Sequence, residues 1–403
     1  MAGLSLRVQT KPASESMSDR DRLCVTIRMP GLDALRAIAV LLTFTMHFSW
    51  LYVANFLSVD LEKSTLRAAN SAEMVWAIAH YYSLYGVYLF FMISGMLIGR
   101  KWLDSTHQPT ILHYLRDRAA RIFPAFWAAL AATAAFMADQ PAAFSPSVID
   151  VLGNASLLNW FAPHYAPPWL IVSWSLQVEW LFYLLMPLLA SCLRQTPETW
   201  RVPALWLVAI GLSVALKGLG GRHFAYPLFF ALGIATVLTS VNAMKAARHA
   251  PLGVFIALLV ALQLGYAWLA PIGAEKPPWE IGAFDAFTWG FLLVGGMFFT
   301  RVAYAPPRWL LHRAVLALGR ISYSFYLWHL LVLIAMFAFI TRSVPLSQAL
   351  SQWNWVPRWW VLAIVGGAVS WAVSWVSYQI FEVAYFRARG NGRASASRVE
   401  GAK

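Results

Sequence analysis

Two things are scarce in this chain of 403 residues: cysteine, with 2 residues, and charge, with Asp, Glu, Lys and Arg together at 12%. Cys24 and Cys192 can build no disulfide framework and stand at no metal-ligand spacing, so redox or metal chemistry does not follow from them. A soluble domain carries roughly twice this fraction of charged residues. The shortage excludes a soluble enzyme, a disordered chain and a nucleic-acid module. Acidic residues are the rarer sign, 18 against 31 Lys and Arg, leaving a net charge of +13. The N-terminal stretch has no apolar run that could serve as a signal-peptide core. Residues 1–30 read as a disordered cytosolic tail, 31–385 as one transmembrane domain, and 386–403 as a second, basic cytosolic tail. No internal repeat and no appended soluble domain are visible.

What is plentiful is apolar surface: 60% hydrophobic residues, 21 Trp, 25 Phe and a mean hydropathy of +0.58. A helix needs roughly 20 mostly apolar residues to cross the hydrocarbon core. Ten stretches qualify, near 32–54, 75–99, 122–138, 169–192, 202–216, 223–240, 252–271, 282–299, 321–340 and 359–383. The expected fold is therefore all-α, a polytopic transmembrane helical bundle of about ten spans. With both ends cytosolic, 23 of the 31 Lys and Arg fall in inner segments and 7 in outer loops, with Arg36 inside the first span. That asymmetry obeys the positive-inside rule and places both termini in the cytosol. The outer segment 139–168 has no Lys or Arg and is long enough to lie on the membrane surface. Its Trp160 and Trp169, with Trp353 and Trp355 of another outer loop, fit either sugar stacking or interfacial anchoring.

Ionisable residues inside spans cost about 2.5–3.5 kcal/mol each at the bilayer centre, which makes them functional candidates. The first span holds Asp33, Arg36 and His47. At 100° per residue Arg36 and His47 lie about 20° from eclipsed and about 16 Å apart along the axis, and Asp33 is about 40° from His47. One stripe carries all three. The fourth span places Ser175, Gln177 and Glu179 near mid-membrane, and Glu179 has no Lys or Arg at i±3 or i±4. Its expected partner comes from another helix, with Arg36 or a protonatable His the economical choice; a structural ion pair is the alternative. The ninth span carries Ser322, Ser324, Tyr326 and His329, the last either a helix-interface histidine or a substrate contact. In the second span Ser94-Gly95 permits close helix packing. Arg116, Arg118 and Arg121 precede the third span, with Arg118 and Arg121 at i, i+3 entering the bilayer at Pro124. Such a fork holds phosphates or anchors the helix at the surface.

This constellation resembles the acyltransferase-3 family of integral membrane acyltransferases. The matching features are the Arg-x10-His pattern of Arg36 and His47 in LDALRAIAVLLTFTMHF, the GVYLFFMISGMLIG segment, Arg-x-x-Arg in RAARIFP, WSLQVEWLFYLLMP and GRISYSFYLWH, in family order, with weaker similarity at Tyr378 to Glu382. The resemblance implies transfer of an acyl group, commonly acetyl, from cytosolic acyl-CoA to a hydroxyl of an extracytoplasmic or lipid-linked carbohydrate, or sometimes to another small molecule. It implies that Arg36 and His47 are catalytic-site residues, that Arg118 and Arg121 belong to the acyl-CoA side, and a place in the bacterial inner membrane. The chain departs from the family in having Glu179-Trp180 where paired Glu is usual, and Ala384 near the place of a usual Pro.

The chemistry requires a base, oxyanion stabilisation and alignment of thioester and acceptor. His47 is the expected base, with Arg36 and Glu179 completing the catalytic group. Arg118, Arg121, Arg116 and Ser94 are expected on the acyl-CoA, and Asp33, Ser175, Tyr183, Ser322 and His329 in support. Acyl-CoA serves as a donor substrate, and no cofactor is tightly bound. Arg36 has two options: orienting the thioester, or pairing with Asp33 or Glu179. Competing readings are a transporter or flippase with an intramembrane Arg/His/Glu path, whose halves should show paired broken helices, and a non-catalytic partner in an export complex.

Overall fold

The computed structural model describes residues 29–57, 66–83, 85–104, 109–138, 146–159, 168–218, 225–239, 249–269 and 283–387. Most of both expected tails, Cys24 and Trp160 lie outside them. The described chain is an all-α polytopic bundle. Among these residues nine helical stretches are long and apolar enough to cross a membrane. Their outward faces are apolar, with Leu188, Leu207, Leu293, Phe339 and Ile364 exposed, as a lipid-facing surface requires when every backbone group is satisfied within the helix.

The first helix, α1 (Pro30–Phe56), begins with Pro at its first position and Asp33 in its first turn. Both suit a helix N-terminus, the proline lacking an N–H that would be orphaned there and the carboxylate facing the positive dipole end. Helix α1 is central. It packs against α2 (Ala72–Tyr81), α3 (Tyr85–Gly99), α10 (Ala283–Tyr304), α11 (Arg313–Arg320) and α12 (Ser322–Arg342). The second expected span is thus two helices, α2 and α3, interrupted where the Ser83 hydroxyl bonds the carbonyls of Leu42 and His80 at 3.0 and 2.6 Å.

The third expected span is a longer helix, α4 (Ile111–Ala138), which runs through Pro124. Helix α5 (Val148–Ser156) follows, its entry fixed by a capping box between Ser147 and Asp150. Those hydrogen bonds hold the Asp150 carboxyl below its ordinary range. Val148, Ile149 and Leu152 are exposed, while Trp127 Nε1 donates to the Ala155 carbonyl and the Trp169 N–H to Asn154 Oδ1, both at 2.9 Å. A short apolar helix tied in this way fits a membrane surface.

Helices α6 (Ser173–Gln195) and α7 (Glu198–Gly218) form the fourth and fifth expected spans, and α9 (Leu252–Leu269) and α10 the seventh and eighth. The sixth departs from expectation. Helix α8 (Tyr226–Leu238) has 13 residues, too few to cross a hydrocarbon core alone. It is buried against α3, α7 and α10, so protein surrounds it where longer spans meet lipid. Glycine makes the α3–α8 approach possible: a Cβ on Gly95 would stand 2.2 Å from the Phe230 carbonyl oxygen, and one on Gly233 2.1 Å from that of Met92. Without a hydrophobic force between helices in lipid, such backbone contact is what packs them. After α12 come α13 (Val344–Ser351) and α14 (Trp355–Ser377), the latter capped by the Asn354 side chain and continued by a π-helical turn, Tyr378–Glu382.

Candidate functional site

The polar stripe on α1 divides into two environments. Near the N-terminal end Arg36 Nη1 donates to Asp33 Oδ1 at 2.8 Å, an i, i+3 pair in which Asp33 is buried. The local option for Arg36 is the one realised. Eleven residues along, His47 Nδ1 meets His329 Nε2 of α12 at 2.9 Å, and His329 Nδ1 contacts the Phe325 carbonyl oxygen one turn back at 3.0 Å. Both histidines are buried. Phe325 stacks on His329, and the rings of Phe44 and Tyr326 lie 6.4 and 5.9 Å from it.

The Arg36 end opens into a cavity of about 90 Å³ enclosed by α1, α3, α4, α6 and α12. Three guanidinium groups line it: Arg36, Arg118 and Arg121. Arg118 and Arg121 reach it together because three residues on a helix differ by only about 60° in direction. Arg118 lies over the Tyr183 ring and Arg121 over that of Phe386, at 5.9 and 5.8 Å. The Arg118 Nε is buried with no hydrogen-bond partner among the described residues. Arg116 does not join them. Two residues from Arg118 it faces the other side of α4 and is exposed, which corrects its expected grouping.

Glu179 also faces this cavity, and its partners correct a second expectation. Ser94 of α3 and Tyr183, one turn along α6, each donate a hydrogen bond to Glu179 Oε1; the ion pair shown by Arg36 is with Asp33. Ser322, Tyr323 and Ser175 also line the cavity. The Tyr326 hydroxyl donates to the Val172 carbonyl at 3.0 Å and lies 2.7 Å from Ser175 Oγ. Tyr326 therefore borders both environments, lining the cavity with its side chain while its ring neighbours His329. His47, His329 and Asp33 lie outside the cavity lining.

Two features carried no assignment from the sequence. Glu382, in the π-helical turn, is buried, accepts a 2.7 Å hydrogen bond from Ser324 Oγ, and lies within electrostatic reach of Arg121 and Arg36. Its only signal was the weak similarity at Tyr378 to Glu382. At the other end of α1, Arg358, one of the seven outer-loop cations of the charge asymmetry, sits in α14 and is buried. Its Nη2 donates to Glu73 at 2.5 Å, its Nε to the Tyr52 hydroxyl at 2.9 Å and its Nη1 to the Leu350 carbonyl at 3.3 Å. Nothing local in the sequence pairs residues 73 and 358.

Residues 29–376 match a family described as "Acyltransferase domain", acyltransferase-3. The chain is 29% identical to "Exopolysaccharide production protein ExoZ" of Rhizobium meliloti strain 1021, over 60% of this chain and 74% of that protein. It is 24% identical to "Nodulation protein 10" of Rhizobium leguminosarum bv. viciae, over 77% and 85% of the two chains. With "Acyltransferase MdmB" of Streptomyces mycarofaciens it shares 27% identity, over 47% and 45%. No solved structure matches.

Proposed function

Since the chain belongs to the acyltransferase-3 family of integral membrane enzymes, we propose that it moves an acyl group, acetyl in the simplest case, from cytosolic acyl-CoA to a hydroxyl of an extracytoplasmic or lipid-linked carbohydrate, in a bacterial cell membrane. The carbohydrate class is suggested by the exopolysaccharide relative. The observation that carries the reading is the cavity on which Arg36, Arg118 and Arg121 converge, separated by Tyr326 from the His47–His329 pair.

Three guanidiniums facing one cavity suit a polyanionic donor. Arginine holds phosphate through several N–H groups in a fixed fork, and the unsatisfied Nε of Arg118 has hydrogen-bonding capacity to give. Glu179 is occupied by Ser94 and Tyr183, so it shapes the cavity wall between the arginines and Ser175. Arg36 lies about 16 Å from His47 along α1, a separation suited to phosphates at one end and a thioester drawn toward the other.

In the proposed reaction His47 takes the proton of the acceptor hydroxyl as its oxygen attacks the thioester carbon. The Tyr326 and Ser175 hydroxyls, which line the cavity and bond the Val172 carbonyl, would turn from that carbonyl to meet the developing oxyanion. When the carbon–sulfur bond breaks, the CoA thiolate takes the proton from His47. The donor enters from one side and the acceptor from the other, and neither crosses.

The test uses purified protein with acetyl-labelled acetyl-CoA and an oligosaccharide acceptor. Acceptor-dependent CoA release and labelled product are expected. His47→Ala should bind acetyl-CoA and lose transfer by roughly 100-fold or more, the scale of a lost general base. Near-normal turnover by His47→Ala would remove that residue from the mechanism, and no CoA release by the native protein with any acyl-CoA would remove the donor.

A further inference from the structure

We propose that His329 is a positioning residue which fixes the tautomer of His47, so that Nε2 of His47 is the atom that removes the acceptor's proton. The inference rests on reading His47 as the base, and it concerns which nitrogen acts and what sets it.

The argument begins at the Phe325 carbonyl. A carbonyl oxygen only accepts, so the 3.0 Å contact to His329 Nδ1 places a hydrogen on that nitrogen. In an uncharged imidazole the other nitrogen, Nε2, then carries the lone pair. His329 Nε2 is the atom 2.9 Å from His47 Nδ1, so with both rings uncharged His47 Nδ1 is the donor. One assignment satisfies both contacts, and the Thr43 backbone one turn back on α1, a further hydrogen-bond partner of the His47 ring, fits it as a second acceptor for the same Nδ1–H. The assignment leaves Nε2 of His47 unprotonated, and fixes both rings as the Nδ1–H tautomer. A histidine's active nitrogen is set in this way by the bond its other nitrogen makes.

Packing holds the relay still. His329 is 0% exposed, with Phe325 stacked on it at 5.9 Å and 13° between planes, and its Nδ1 bond runs to its own helix one turn back. Because that ring cannot turn freely, it presents its lone pair to His47 in one direction. The role is that of the orienting carboxylate in a serine-protease triad, here filled by a neutral ring acceptor. When the acceptor hydroxyl loses its proton, the oxygen–carbon bond forms and His47 holds hydrogens on both nitrogens. The Nδ1–H of His47 stays on that nitrogen, donated to His329 Nε2, while the Nε2–H passes to the departing thiolate. Atoms and charge balance with no further reactant.

Two substitutions separate positioning from packing. His329→Gln puts an amide oxygen near the place of Nε2 and can accept from His47; His329→Leu fills the space and cannot. His329→Leu should lower kcat on the order of 100-fold, with KM for acetyl-CoA and acceptor within about twofold of native. His329→Gln should regain at least about tenfold of that loss. A His329→Leu enzyme at native kcat overturns the proposal, as does a folded His329→Gln enzyme no faster than His329→Leu. A readout that needs no active variant is the ¹⁵N spectrum of the histidines in the native protein. The His47 signals, identified by their loss in His47→Gln, should show hydrogen on Nδ1; hydrogen on Nε2 instead overturns it. With His47→Ala assayed beside these, normal turnover there sinks the base reading itself, whereas an inactive His47→Ala with an unimpaired His329→Leu sinks only the positioning role.

Discussion

Arg358 and Arg118 are both charges placed within helical spans, and they are held in opposite ways. Arg358 is bonded through every nitrogen: Glu73, Tyr52 and Leu350 take Nη2, Nε and Nη1, and the Phe56 ring lies 4.5 Å from its guanidinium carbon. Arg118 rests on the face of Tyr183 with a buried Nε that bonds nothing among the described residues. A charge in a membrane costs several kcal/mol wherever it is unpaired, so the two arrangements differ in purpose. The Arg358 cluster ties α1, α2 and α14 together, with every guanidinium nitrogen engaged by protein. The cavity at the other end of α1 keeps hydrogen-bonding capacity open.

That contrast is open to experiment. The largest effect belongs to the Arg358 cluster. Glu73→Gln leaves a buried guanidinium without its carboxylate and should cost about 3–5 kcal/mol of stability, seen in thermal unfolding in lipid nanodiscs, while protein that remains folded keeps its acyl transfer. A loss under about 1 kcal/mol would erase the distinction. The cavity arginines should answer the other way. Arg118→Ala with Arg121→Ala should change stability little and raise KM for acetyl-CoA at least about tenfold, since each charge-assisted phosphate contact is worth about 1.5–3 kcal/mol. An unchanged KM with impaired insertion would make these residues anchors. The smallest effect sharpens the wall between them. In a thermal double-mutant cycle Glu179→Gln and Tyr183→Phe should couple by about 0.5–3 kcal/mol, and Glu179→Gln with Arg36→Gln should add independently. Coupling in the second pair and none in the first would restore a Glu179–Arg36 pair.

Periodicity made part of this site legible. The shared face of Asp33, Arg36 and His47, and the joint direction of Arg118 and Arg121, follow from 3.6 residues per turn, and the apolar runs located the helices. The same arithmetic, applied to Arg116, separates it from Arg118. Glu179 has no cation at i±3 or i±4 on α6, and the group that takes the carboxylate is a neutral donor at i+4, the Tyr183 hydroxyl, which a rule of opposite charges does not find. His47–His329 and Glu73–Arg358 are contacts across 282 and 285 residues. They are set by how helices dock, which a single sequence does not encode locally. Glu382 escaped for the same reason, since its weight comes from Arg121, Arg36 and Ser324 on three other helices.

Helix α8 has a consequence for biogenesis. Its 13 residues span about 20 Å, against a hydrocarbon core of about 30 Å. A segment that short does not settle across a bilayer on its own hydrophobicity, since roughly 10 Å of mismatch would have to be met by thinned lipid or buried polar flanks. Protein meets it here, because the backbone of α3 lies against Gly233 and that of α8 against Gly95. The partner helix is translated first, so α8 finds its docking surface already in the membrane when it leaves the ribosome. A side chain added at either glycine would act at that moment, before any stability of the finished protein is at stake. Insertion of α8 is thus a folding event rather than a partitioning event.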